Sequence, residues 1–303
     1  MTASNGLAPC IQTHDVLGEV PTWCGRRRLL FWSDVRQCRL LALDPETGAV
    51  KSWMMPDWIG SFALTDDDRL LLASRKSLLL FDPSNQRFET LAVFESDKPD
   101  NRANDGRADR NGRFWFGTLN NADRIPTGHL YRYADGGVAH QQSDIIVPNA
   151  LSWSPDGRTM YFADSWVGDI WAYDYDPDTG DTGNRRVLLA KDALPGIPDG
   201  ATVDAEGCLW NARYGAGLVA RITPDGRVDT TFEIATKNLT ACTLGGSDLR
   251  DLYVTSARQR MSAEELKADP NAGAVFHARV ATPGLPEPLA QLPPDYRGVP
   301  SAV

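Results

Sequence analysis

A strand led in by a turn recurs six times along this chain, and that recurrence restricts its fold more than any other feature. The copies occupy residues 25–32 (GRRRLLFW), 66–72 (DDDRLLL), 109–115 (DRNGRFW), 155–161 (PDGRTMY), 205–210 (AEGCLW) and 247–253 (SDLRDLY). Each is followed by a second marker, an alternating apolar stretch that usually runs into a turn. These lie at 40–48 (LLALDPETG), 78–83 (LLLFDP), 130–136 (LYRYADG), 170–177 (IWAYDYDP), 219–226 (VARITPDG) and 274–279 (AVFHAR). Short strands punctuated by Asp-Pro, Asp-Gly and Thr-Gly turns are the pattern of consecutive antiparallel hairpins. A period of about 40–50 residues, with about four strands in each unit, reads as a β-propeller. Six units fit 303 residues. The expected fold is therefore all-β, a six-bladed β-propeller with four-stranded antiparallel blades.

Helical signals are scarce. The best is 262–269, where Ser262 with Glu265 three positions on makes a capping pattern that Pro270 soon ends; it reads as a short insertion in the last blade. From about residue 285 the chain is rich in proline (Pro286, Pro288, Pro293, Pro294, Pro300) and reads as an irregular tail. Nothing resembling a linker interrupts the period, so a single domain over 1–303 is expected. The last blade needs a partner strand to close the ring. Residues 14–16 and the stretch beyond Phe276 are the two sources that the sequence leaves open.

Equivalent positions in a closed array lie on one ring. Counting back 11 to 13 residues from Trp32, Leu72, Trp115, Tyr161, Trp210 and Tyr253 reaches Glu19, Gly60, Asn104, Asn149, Asp199 and Thr240, in steps of 41, 44, 45, 50 and 41 residues. Four of these six carry a carboxylate or carboxamide, so their oxygens can converge on one point. Each alone has a plainer reading. Glu19 would serve as a surface carboxylate, and Asn149 and Asp199, each after a proline, as turn formers. Their common phase favours a shared site. Glu19, Asn149 and Asp199 together offer hard oxygens and two negative charges, a set suited to one divalent cation: Ca²⁺, Mg²⁺ or Mn²⁺, with Zn²⁺ or Fe²⁺ also accommodated. Three protein ligands leave room for water or a substrate oxygen, as a catalytic site needs, although a structural ion is the competing reading. Arg102 stands two residues before Asn104, on the same strand face, and its fork of donors is suited to a polyhydroxylated or anionic ligand. The bland alternative for 104–106 (NDG) is a hairpin turn.

Composition narrows the field. The formal charge of −9 argues against nucleic acid or an anionic membrane as partner, and Arg26, Arg27 and Arg28 form the only basic cluster, in a turn. No apolar run approaches bilayer length, and residues 1–10 lack a secretory pattern, so a cytoplasmic protein is expected. Five widely spaced cysteines without a Cys-x-x-Cys pair fit reduced thiols. Residues 174–181 fail the EF-hand pattern. Serine-hydrolase elbows, phosphate-binding loops and dinucleotide fingerprints are missing.

Residues 17–21 (LGEVP), 101–106 (NRANDG) with 112–118 (GRFWFGT), Pro148 with Asn149, 198–200 (PDG) and 255–258 (TSAR) resemble, in order and spacing, the motifs of the regucalcin/gluconolactonase (senescence-marker-protein) family, over about residues 17–280. The resemblance implies a six-bladed propeller with one divalent cation in its central channel, ligated by Glu19, Asn149 and Asp199. It also implies that Arg102 and Asn104 contact a sugar lactone, that Asp199 is the candidate general base, and that the reaction is hydrolysis of the lactone to the aldonic acid. Two positions depart from the family. Ala150 stands where glycine often follows the ring Asn, and 119–123 (LNNAD) replaces a segment that is acidic near the sugar in vertebrate members. Asn121 is thereby the expected substrate contact in that segment.

The expected reaction has the cation polarising the lactone carbonyl while water attacks, activated either by Asp199 or by the cation itself. Three alternatives stand beside it: a metal-dependent esterase or phosphotriesterase on the same scaffold, a Ca²⁺-binding regulatory propeller without turnover, and a protein-interaction platform. Trp166, Tyr214 and Arg258 are further candidates for the rim. The identity of the lactone, the physiological cation and the oligomeric state are not legible in the sequence.

Overall fold

The computed structural model describes residues 6–296. These form six four-stranded antiparallel sheets, arranged as a six-bladed β-propeller. Blade I runs through strands Gly18–Cys24, Leu29–Asp34, Arg39–Leu43 and Val50–Met54, and blade II through Ile59–Leu64, Leu70–Ser74, Ser77–Asp82 and Arg87–Val93. Blade III has Asn101–Ala108, Phe114–Asn120, Gly128–Ala134 and Gly137–Ile145; blade IV has Pro148–Trp153, Thr159–Asp164, Ile170–Tyr175 and Thr182–Leu189. Blade V comprises Ile197–Val203, Leu209–Tyr214, Leu218–Ile222 and Val228–Glu233. Blade VI takes Leu239–Gly245, Asp251–Ser256 and Ala274–Arg279 from late in the chain. The first strand of every blade packs against the first strands of its two neighbours, so these six strands surround the central channel.

The recurring strand is the second of each blade, and its apolar run is continuous because both faces are covered. In Leu29–Asp34, Leu30 and Trp32 pack toward blade VI with Trp23, Tyr253 and Val275, while Phe31 packs toward blade II with Phe62, Leu70 and Leu72. Alternation thus sends successive residues into two different inter-blade cores. Burying each such aromatic or leucine contributes about 1.5–3 kcal/mol. The lead-in turns are held by side chains. Asp109 Oδ1 accepts from the amides of Asn111 (2.8 Å) and Arg113 (2.9 Å), and Asp204 Oδ1 from those of Glu206 and Cys208, both at 3.0 Å. Such Asx chemistry is why Asp recurs there.

The ring closes differently from either source considered above. Ala8–Gln12 is the fourth strand of blade VI, paired antiparallel with Ala274–Arg279, Ala8 opposite His277 and Gln12 opposite Ala274. Closure therefore comes from the N-terminus just before 14–16, and the stretch beyond Phe276 does not supply it. The strand is short, contains Pro9 and is mostly exposed, so it carries little pattern. The helix Ala263–Ala268 lies between the second and third strands of blade VI, with Ser262 and Glu265 forming the capping box.

The proline-rich tail is more ordered than expected. It crosses the face of the propeller where first strands turn into second strands. The amides of Gly284, Ala290 and Gln291 donate to the carbonyls of Leu249 (2.7 Å), Leu64 (2.7 Å) and Gly112 (2.8 Å). Pro300 lies outside the described residues. All five cysteines are free thiols. Among the described residues no helix is long and apolar enough to cross a membrane.

Candidate functional site

Each first strand is interrupted at the ring position. In blade I the pairing with the second strand passes from Glu19↔Ser33 to Thr22↔Phe31, and the same slip recurs between Ile59 and Ser61, Ala103 and Gly106, Asn149 and Ser152, Pro198 and Ala201, and Leu239 and Cys242. A bulge re-aims the side chain beside it, and here six bulges share one level of the channel. Two of them hold non-glycine residues in the left-handed region, Val20 at φ +50° and Ala150 at φ +61°. This is costly for a β-branched residue and common where geometry is held for function. It also explains why glycine would suit position 150. The 104–106 segment is part of this bulged strand and does not form a hairpin turn.

Two ring positions are spacers. A Cβ on Gly60 would sit 2.4 Å from the Ala103 carbonyl oxygen, so blade III approaches too closely for any side chain. Thr240 Oγ1 donates to the Gly18 carbonyl at 2.5 Å and is buried. The other four, Glu19, Asn104, Asn149 and Asp199, line one cavity at the channel mouth together with Arg102, Arg124, Ser165, Trp166, Tyr214, Gln259 and Arg260.

A hydrogen-bond chain orients the amides. Asn149 Nδ2 donates to Ser165 Oγ (2.7 Å), which donates to the Pro198 carbonyl (2.6 Å). Asn149 Oδ1 is thereby left to accept, and receives Asn104 Nδ2 at 3.1 Å. Asn104 Oδ1 in turn accepts from Arg102 Nη1 at 2.9 Å. Asn121 is absent from the cavity wall; its Oδ1 accepts from Arg102 Nε and from Arg36 Nη2, each at 3.2 Å. Of the rim candidates, Trp166 and Tyr214 line the cavity. Arg258 does not: its amide donates to the Asp15 carbonyl (3.2 Å), and the mouth is reached by Gln259 and Arg260 instead.

Electrostatics set this mouth apart from the rest of the fold. Among the described residues neither Glu19 nor Asp199 is ion-paired; the neighbouring backbone amides of Val20 and Gly200 favour their charged forms without outweighing burial. Burial raises the pKa of both above the carboxylate range; the charge of Asp105 raises Glu19 further, and the charges of Glu19 and then Asp105 raise Asp199 further. Asp105 is pushed up to about 6 by burial, although its Oδ2 accepts the Leu151 amide at 3.0 Å. Arg102 is lowered to about 9 by burial, then by the charges of Arg124 and Arg36, so it stays cationic at neutral pH. Two mutually repelling carboxylates and an oriented carboxamide form a donor set that a hard cation would relieve. Among the described residues no three His, Cys, Asp or Glu side chains cluster, so Asn149 would have to be the third ligand.

The sequence reading missed Ser165, Arg36, Arg124, Gln259 and Arg260. They lie in segments that follow second strands, outside the repeat, and no periodic signal marks them.

The profile described as "SMP-30/Gluconolactonase/LRE-like region" matches residues 17–258. The chain is 38% identical to 6-deoxy-6-sulfogluconolactonase of Pseudomonas putida, over 92% of this chain and 96% of that protein. It is 36% identical to L-arabinolactonase of Azospirillum brasilense, over 90% and 91%. A crystal structure of a calcium-binding protein, regucalcin, from Agrobacterium tumefaciens superposes with a TM-score of 0.91 at 33% identity, covering 95% of this chain and 97% of that one.

Proposed function

The chain belongs to the SMP-30/gluconolactonase/LRE-like family, and from that membership and the chemistry of the channel mouth we propose that it is a sugar lactone hydrolase using one divalent cation. The observation that carries the reading is the meeting of Glu19, Asn104, Asn149 and Asp199, from four blades, beside Arg102. In this reading Glu19, Asn149 and Asp199 hold the cation. When bound, it would supply positive charge to polarise the lactone carbonyl and to stabilise the oxyanion that forms on attack.

The chain's own groups account for the remaining steps. Arg102 donates to ring oxygens and hydroxyls, with Asn121 holding the guanidinium in place. Asn104, which accepts from Arg102 at 2.9 Å and donates to the Pro148 carbonyl (2.9 Å) and Asn149 Oδ1 (3.1 Å), lies against the substrate and orients both neighbours. Trp166, 48% exposed, and Tyr214 offer faces against which a sugar ring can lie. Asp199 takes a proton from the attacking water as its oxygen bonds to the carbonyl carbon. The bond from that carbon to the ring oxygen then breaks, and the departing oxygen receives the proton.

The test is acid release from a panel of aldonolactones by protein stripped with a chelator, with Ca²⁺, Mg²⁺, Mn²⁺, Zn²⁺ and Fe²⁺ restored singly. Acceleration that depends on a cation and is lost in Glu19→Gln supports the reading; release at the spontaneous rate with every cation refutes it. Asp199→Asn that still gains thermal stability from the cation and keeps near-normal kcat would remove the proton-accepting role. The same hard-oxygen set suits a second reading, Ca²⁺ binding without turnover, in which Ca²⁺ raises Tm and no lactone opens.

A further inference from the structure

We propose that the lactone opened here carries a strongly acidic oxyanion, a sulfonate or a phosphate ester, on its terminal carbon, and that Arg36, Arg124 and Arg260 form the subsite that holds it. This rests on the lactonase reading of the channel mouth.

The three arginines come from segments that follow the second strands of blades I, III and VI, and they meet beside Arg102. Arg36 Nη2 and Arg102 Nε donate to the same atom, Asn121 Oδ1, at 3.2 Å each, so two guanidinium groups face one another across a neutral oxygen. Arg36 Nε also donates to Gln259 Oε1 at 2.9 Å, beside Arg260. Arg36 stacks over Trp58 (4.3 Å), and the Arg260 guanidinium lies 6.0 Å from the Trp166 ring. Arg124 and Arg260 line the cavity itself.

What these groups lack is a counter-charge. Among the described residues none of Arg36, Arg102, Arg124 and Arg260 enters an ion pair. Arg39, Arg69, Arg107, Arg113 and Arg221, elsewhere in the fold, each hold a carboxylate. Glu19 and Asp199 face Arg102 and are the proposed cation ligands. Arg124 has one weak contact, Nη1 to the Asn120 carbonyl at 3.5 Å, and its buried Nε has no partner. Burial, then the charges of Arg260 and Arg36, hold Arg124 down to about 10; Arg36 is lowered by burial, then by Arg260 and Arg75.

In a chain of net charge −9, four unpaired arginines at one opening are a local inversion of sign. Their mutual repulsion persists unless something anionic arrives. A neutral lactone does not relieve it, and the carboxylate released by ring opening forms at the other end, against Glu19 and Asp199. A tetrahedral oxyanion on the far carbon would meet several guanidinium forks at once, the geometry for which arginine exceeds lysine. Charge-assisted bonds of this kind change affinity by about tenfold to a hundredfold.

The test compares kcat/KM for gluconolactone, gluconolactone phosphorylated on its terminal hydroxyl, and gluconolactone bearing a terminal sulfonate, in wild type, Arg124→Gln and Arg260→Gln. Arg260 is exposed, so its variant guards against loss of folding. The charged-to-neutral ratio is expected to exceed about tenfold in wild type and to fall by about tenfold or more in the variants. Which of the two oxyanions gives the larger ratio identifies the substituent. A wild-type ratio near one, or variants that slow all three lactones equally, overturns the subsite. Calorimetry with the ring-opened acids separates the two claims. If no lactone opens faster than spontaneously, the lactonase reading falls. The subsite then stands if phosphogluconate binds about tenfold more tightly than gluconate in wild type only, and falls if the two bind alike.

Discussion

Asp15 contributes stability in mild acid that is lost as pH rises, and the effect is large enough to measure. It is 1% exposed, three residues before the strand that carries Glu19, and lies against a second buried carboxylate, Asp34; Arg39 Nη2 is shared between them at 3.1 Å to each. Trp32 Nε1 donates to Asp15 Oδ2 at 2.8 Å. Burial, then the charge of Asp34, outweighs these partners and lifts Asp15 from 3.8 to about 7. The sign follows from linkage. A carboxyl that binds its proton more tightly when folded gives stability that is complete below its unfolded pKa and drains as pH rises through the folded one. At 1.36 kcal/mol per unit the whole effect is about 4 kcal/mol, of which about 2–3 kcal/mol falls between about pH 5 and about pH 8. Asp15→Asn keeps an acceptor for Trp32 and cannot ionise. Urea unfolding followed by tryptophan fluorescence at several pH values should show the gap between variant and wild type moving in favour of the variant by about 2–3 kcal/mol across that window. A gap that stays constant, or moves the other way, would mean that Arg39 and Trp32 keep Asp15 ionised and that the reasoning is wrong.

Gly60→Ala should destabilise the fold by about 1–3 kcal/mol and reduce lactone turnover, because the new Cβ meets backbone atoms of Ala103 at 2.4 and 2.5 Å and must displace the bulge carrying Asn104. Denaturant titration and an activity assay check this; unchanged stability and turnover would deny the close approach. Arg107 bonds both oxygens of Glu287, at 2.7 and 2.9 Å, and the Ala201 carbonyl at 2.6 Å, which ties the tail beneath the channel. Arg107→Met alone should cost about 3 kcal/mol by stranding Glu287, and adding Glu287→Leu should recover much of that in a double-mutant cycle. Ala150→Gly should change stability by less than about 1 kcal/mol, because relief of the left-handed conformation offsets the lost methyl and the added chain entropy. Thermal unfolding reads it.

Most of the candidate site was legible because the blade repeat is also a ruler. Counting from Trp32 and its equivalents reached Glu19, Asn104, Asn149 and Asp199, and the structure brings all four to one cavity. The count worked because each ring residue sits at the bulge of a first strand, 11 to 13 residues before the marker of the second. It could not tell that Gly60 and Thr240, at the same phase, act as spacers; that depends on how closely neighbouring blades approach. Asn121 was read as a direct contact, whereas its oxygen lies between two arginines.

Alternation of apolar residues and the Asp-containing turns are local properties, so blade number, strand order and the capped helix could be read along the chain. Which strand closes the last blade, where the tail runs, and which arginines share the mouth depend on contacts between residues far apart in sequence. Arg36 and Gln259 are separated by 223 positions and lie 2.9 Å apart. Local pattern carries no record of such pairs, because they exist only once the ring has closed and brought its first blade against its last.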